Sequence, residues 1–72
     1  MSSKEEILSQ AVDQLERMSR ALGSLRREHL PSQPKTFAIL AEGPLEEIRR
    51  LLLEIDQLSA EIVTAPAATG AS

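Results

Sequence analysis

The sequence predicts an all-α protein, a helical hairpin in which two long antiparallel helices are joined by a short apolar connector. Apolar residues recur every three or four positions in both halves of the 72-residue chain, which is the period of a helix and not of a strand. A helix-start signal heads each half, and prolines interrupt the chain between them. We expect one hairpin domain over residues 1–63, followed by a flexible tail of small residues over 64–72.

The first helix is predicted over about residues 3–29. Ser3 and Glu6 have the spacing of a capping box, which satisfies backbone N–H groups at a helix start. Pro31 ends the helix near Leu30, because a residue before proline avoids the α conformation. The apolar positions between these signals fit one helical face: Ile7, Leu8, Ala11, Val12, Leu15, Met18, Leu22 and Leu25.

The connector is predicted over residues 30–43 and the second helix over 44–63. Gly43-Pro44 gives the start signal, because proline is favoured at the first helical position. The heptad pattern places Leu45, Leu52 and Ser59 with Ile48, Ile55 and Ile62 on the seam of this helix. The connector contains the apolar run 37–41, for which we favour a turn or two of helix, because an isolated strand would lack a partner.

Two helices cover each other on one side only, so some apolar residues beside the seams are expected to stay partly exposed. These self-association candidates are Ile7, Val12, Leu51 and Leu53. Dimerisation into a four-helix bundle would cover them, and a chain of this length without cysteine benefits from such support. We therefore expect a homodimer. The alternative is a monomeric hairpin with a few exposed leucines, which is ordinary for a protein surface.

The connector carries the only aromatic residue of the chain, Phe37, together with Ile39 and Leu40. In one interpretation these residues fold back as a plug at one end of the hairpin. In the other they form an apolar anchor for a protein partner, since large aromatic residues dominate interface energetics. A dimer is compatible with both interpretations.

Basic residues concentrate in the second half of the first helix, at Arg17, Arg20, Arg26 and Arg27. Such a cluster can contact an anion or an acidic partner. We favour instead a solvated face that forms ion pairs with acidic residues of the second helix, namely Glu46, Glu47, Glu54 and Asp56. The formal net charge of −3 also argues against nucleic acid as the partner.

The composition excludes most catalytic and metal chemistry. The chain has no cysteine and one histidine, His29, whereas a zinc site needs at least three protein ligands. We therefore expect no cofactor, no metal and no enzymatic activity. No apolar run is long enough to cross a membrane, and the N-terminus does not resemble a secretory signal, so a cytoplasmic protein is expected. The sequence favours a non-enzymatic interaction module, an adaptor, assembly or inhibitory subunit, over an antitoxin-like regulator that contacts nucleic acid.

Overall fold

The computed structural model describes residues 3–64, which form two antiparallel α-helices. Helix α1 spans Lys4–His29, and helix α2 spans Pro34–Thr64. Nζ of Lys4, at the start of α1, lies 3.3 Å from Oε1 of Glu61 near the end of α2, so the two helices run in opposite directions. The described part of the chain contains no strand. The predicted all-α hairpin is confirmed.

The capping signals of α1 act as predicted. The Ser3 hydroxyl accepts a hydrogen bond from the backbone N–H of Glu6, and the Glu6 carboxylate accepts one from the backbone N–H of Ser3, each at 3.1 Å. Arg26, Arg27 and His29 lie in the last turn, where positive charge complements the helix dipole. The predicted first helix, residues 3–29, is confirmed to within one residue.

The predicted connector over residues 30–43 is wrong, because α2 begins at Pro34 and not at Pro44. Pro34 occupies the first helical position that the sequence analysis assigned to Pro44. The carbonyl of Gln33 accepts a hydrogen bond from the N–H of Phe37 at 3.0 Å, which closes the first turn. Residues 30–33 are therefore sufficient to reverse the chain, and the favoured helical conformation of residues 37–41 is confirmed.

Pro44 lies inside α2, where it has no N–H to donate to the carbonyl of Leu40. An internal proline costs a helix about 3 kcal/mol. Apolar residues on both sides of Pro44 pack against α1: Ala41 is fully buried, and Leu51 is 2% exposed. This packing offsets the cost, which explains why the helix continues through the proline.

The hydrophobic core is thin and follows the contact between the two helices. Its buried residues are Ala11, Ala41 and Leu51. Two series of buried or half-buried positions of α2 repeat at heptad spacing: Phe37, Pro44, Leu51 and Leu58, with Ala41, Ile48, Ile55 and Ile62. The predicted seam is therefore half correct. The predicted isoleucines face α1. The second half of the seam is formed by the series that contains Phe37 and Leu51, so Leu45, Leu52 and Ser59 lie beside the seam.

Thr64 is the last residue of α2. The remainder of the predicted flexible tail, residues 65–72, lies outside the described part of the chain.

Candidate functional site

Exposed apolar side chains are the most prominent surface feature of the hairpin. Seven large ones are at least 36% exposed: Ile7, Val12, Ile39, Leu40, Leu52, Leu53 and Val63. Within residues 3–64, the core holds only three buried residues. Large apolar groups thus remain in contact with water on several sides of the hairpin.

The four self-association candidates do not form one patch. Leu51 is buried against α1, so the expectation that it stays partly exposed is wrong. Leu53 is 73% exposed and follows Leu51 by two residues, or about 200° of helix rotation, so it lies on the outer surface of α2. Ile7 and Val12 are also exposed, but they are five positions apart on α1 and lie on opposite sides of the seam.

Val12 lies beside a residue that the sequence analysis placed in the core, Leu52. In an antiparallel helix pair, residues that follow the seam by one position lie on the same side on both helices. Val12 follows the buried Ala11, and Leu52 follows the buried Leu51. The Lys4–Glu61 ion pair fixes the relative height of the helices, and it places Val12 level with Leu52.

We call this side of the hairpin the Val12–Leu52 face. Leu45 precedes Leu52 by seven residues and belongs to the same face, where it is half-buried. Val63 extends the face towards the end of α2. The sequence signal for the face was the heptad spacing of Leu45, Leu52 and Ser59, which is equally compatible with a buried seam.

The 37–41 segment divides between the interior and the surface. Phe37 is half-buried on the seam, Ala41 is fully buried, and Ile39 is 66% exposed. Leu40 is also exposed. Phe37 therefore packs partly within the chain, whereas Ile39 and Leu40 are accessible at the hairpin end.

The four arginines of the predicted cluster lie on exposed positions of α1. Arg17 forms an ion pair with Asp13 of its own helix at 3.3 Å and also donates to Oε1 of Gln14 at 2.9 Å. Arg27 donates to the Ser24 hydroxyl. Within residues 3–64, Arg20 and Arg26 form no ion pair.

The expected ion pairs between the arginines of α1 and the acidic residues of α2 do not form. Glu47 and Glu54 instead pair with Arg50 of their own helix. The Arg50 guanidinium donates from Nε to Oε1 of Glu47 at 3.2 Å, and this hydrogen bond lowers the pKa of the Glu47 carboxyl. The i,i+3 and i,i+4 spacing on one helix is the reason, because it brings these groups together without crossing the hairpin.

His29 stabilises the turn between the helices. Its Nδ1 lies 2.8 Å from Oε1 of Gln33, and its Nε2 lies 3.8 Å from Oε1 of Glu28. Among the described residues, no three histidine or carboxylate side chains converge as metal ligands. Two shallow surface depressions each follow a single helix, one beside Leu45 and one beside Val12.

No protein-family model, curated protein or solved structure matches this chain. In the part of the chain that the structure describes, neither helix combines the length and the apolar character needed to cross a bilayer. The exposed surfaces are therefore the basis for proposing a function.

Proposed function

We propose that this protein is a non-enzymatic helical interaction module that self-associates and docks on a larger protein as an adaptor, assembly or inhibitory subunit. The observation that carries the proposal is that helices α1 and α2 expose seven large apolar side chains and bury three residues. Extended apolar surface is typical of protein interaction sites. A cytoplasmic location belongs to the same proposal.

The hairpin end offers the docking site for the larger protein. Ile39 and Leu40 are exposed there on consecutive positions of α2. Lys35 precedes Ile39 by one helical turn, and Arg26 and Arg27 lie at the same end of α1. An apolar anchor with basic neighbours fits an acidic protein surface that contains an apolar pocket, because complementary charge speeds association and sets orientation.

Replacement of Ile39 by Glu is expected to abolish docking and leave the helices intact. A partner is first captured from the native host and identified, and its affinity for purified variants is then measured by calorimetry. We expect Ile39→Glu to weaken binding at least about tenfold, since an interface anchor contributes about 2 kcal/mol or more. Leu53→Glu is the matched control, because Leu53 is similarly exposed but lies far from the hairpin end. Equal affinity of both variants and the parent protein would contradict the proposed docking site.

Phe37 is expected to act as a structural residue and not as the docking anchor. Phe37→Ala should lower the free energy of unfolding by about 1–3 kcal/mol, less than for a fully buried aromatic residue, because Phe37 is half-buried. Ile39→Ala should change it by no more than about 0.5 kcal/mol. Circular dichroism melts of the two variants measure the difference. A Phe37→Ala variant that keeps the full melting curve would show that the residue is not a plug.

The second candidate function is an antitoxin-like regulator that contacts nucleic acid through Arg17, Arg20, Arg26 and Arg27. It is supported by Arg20 and Arg26, which form no ion pair with any described residue and remain available for phosphate. The net charge of −3 and the Arg17–Asp13 pair argue against it. A band-shift titration at two salt concentrations separates the two functions, because phosphate contacts make affinity fall steeply with salt.

A further inference from the structure

Helix α2 has apolar residues at three positions of its heptad repeat. Only two of these positions, those of Leu51 and Ile48, pack against α1. The third position is occupied by Ala38, Leu45, Leu52 and Ser59, which follow one another at intervals of seven residues. Leu52 is half exposed. Three apolar positions in seven are typical of a helix with two neighbours in a bundle, while two suffice for a helix with one. The pattern indicates that α2 has a second neighbour.

The corresponding stripe of α1 lies on the same side of the hairpin. It contains Glu5, Val12, Ser19 and Arg26, again at intervals of seven. Val12 provides its large apolar side chain, and Ser19 is small enough to admit a residue from a facing helix. Both helices thus contribute to the Val12–Leu52 face.

We propose that a second copy of this chain covers the Val12–Leu52 face, with the two hairpins antiparallel, so that Leu45 lies opposite Leu52 of the second copy. This inference rests on the self-association included in the proposed function and specifies its surface and arrangement. The result is a four-helix bundle in which the hairpin end of each copy lies beside the open end of the other.

The size of the face matches what a stable dimer needs. Helix α2 has 31 residues and is therefore about 46 Å long, and the hairpin is about 17 Å wide, so its broad side has a projected area of about 800 Å². Each partner buries about this area in a standard interface.

Charge along the hairpin favours the antiparallel arrangement. The hairpin end is basic and carries Arg26, Arg27 and Lys35 against a single Glu28. The open end is acidic and carries Glu5, Glu6, Asp56 and Glu61 against a single Lys4. Antiparallel copies place opposite charges side by side, whereas copies that point the same way place like charges together.

The register of the two stripes is consistent with this arrangement. A two-fold axis midway between Val12 and Ser19 places Glu5 opposite Arg26 of the second copy. An axis midway between Leu45 and Leu52 pairs those leucines across the interface. Because the helices are antiparallel and Val12 is level with Leu52, Ser19 is level with Leu45. The two midpoints therefore lie at the same height of the hairpin, and a single two-fold axis passes through both.

The first test compares two adjacent leucines that differ in the side of α2 on which they lie. Sedimentation equilibrium of the parent protein should show a dimer at micromolar concentration. Leu52→Glu should raise the dimer dissociation constant at least about 100-fold, since it places buried charges in the interface. Leu53→Glu adds the same charge on the outer surface and should change the constant less than about threefold. Persistence of the dimer in Leu52→Glu would overturn the assignment of the face.

Disulfide trapping tests the arrangement without depending on a destabilised variant. The natural chain has no cysteine, so introduced thiols react only with each other. A disulfide forms only where the two Cα atoms lie within about 7 Å of each other. The antiparallel arrangement places residue 45 opposite residue 52 of the second copy, so a mixture of Leu45→Cys and Leu52→Cys chains should form the mixed covalent dimer on oxidation. A mixture of Val12→Cys and Leu52→Cys chains should not. The reverse pattern would show that the copies point the same way and would overturn the antiparallel arrangement.

Failure of this inference is distinguishable from failure of the proposed function. A parent chain that is monomeric at every concentration overturns both the self-association and the interface. A dimer that tolerates Leu52→Glu overturns only the interface. Docking on the larger protein is measured separately through Ile39→Glu.

Discussion

Leu51→Ala is expected to lower the free energy of unfolding by about 2–5 kcal/mol. Leu51 is the only large side chain among the three buried residues, and its truncation removes apolar contacts and leaves a cavity between the helices. A core of this size supplies about 3–5 kcal/mol in total. The substitution should therefore leave a large fraction of the chain unfolded at 25 °C. Urea titration followed by circular dichroism at 222 nm measures the change at a fixed protein concentration, which matters because dimerisation adds to stability.

Leu53→Ala is the control for this prediction. The two residues have the same side chain and stand two positions apart, but Leu53 is 73% exposed. Its truncation should change stability by no more than about 0.5 kcal/mol. Similar losses in the two variants would mean that the seam of α2 does not pass through Leu51.

The ends of α1 were predictable because their signals are local. Ser3 and Glu6 satisfy each other within one turn, and Pro31 restricts the residue directly before it. Neither signal depends on the second helix. The hairpin also followed from the sequence, since two helical apolar faces in so short a chain can cover each other by lying side by side.

The start of α2 was not predictable from local signals, because two prolines compete for it. Pro34 and Pro44 both follow polar or small residues, and either is acceptable at the first helical position. The structure selects Pro34 because this choice adds Phe37 and Ala41 to the face that packs on α1. That gain depends on tertiary contact, and a local pattern does not contain it.

The surfaces were predicted in part for a related reason. Leu51, Leu52 and Leu53 are three consecutive leucines, and their exposure depends only on which side of α2 packs against α1. An error in assigning that side placed Leu52 in the core and Leu51 on the flank. Val12 and Leu53 were correctly expected to be exposed, but the sequence did not show that they lie on different sides.

Replacement of the internal proline provides the sharpest test of the continuous helix. Pro44→Ala should raise the free energy of unfolding by about 1–3 kcal/mol. The new N–H can donate to the Leu40 carbonyl, and the crowding caused by the proline ring is removed. The gain is smaller than the full penalty of an internal proline because alanine also makes the unfolded chain more flexible, which costs about 0.4–1 kcal/mol.

Gly43→Ala tests the same segment by a different mechanism. A methyl group at Gly43 would contact nothing within 4 Å, so the substitution should stabilise an uninterrupted helix by about 0.5–1 kcal/mol through propensity alone. Denaturant titrations of both variants measure these gains beside the parent protein. If the helix began at Pro44, the N–H introduced by alanine would have no partner within the helix, and Pro44→Ala would leave the free energy of unfolding almost unchanged. An unchanged denaturation midpoint for Pro44→Ala would therefore indicate that the second helix begins at residue 44 and that Ile39 and Leu40 do not belong to it.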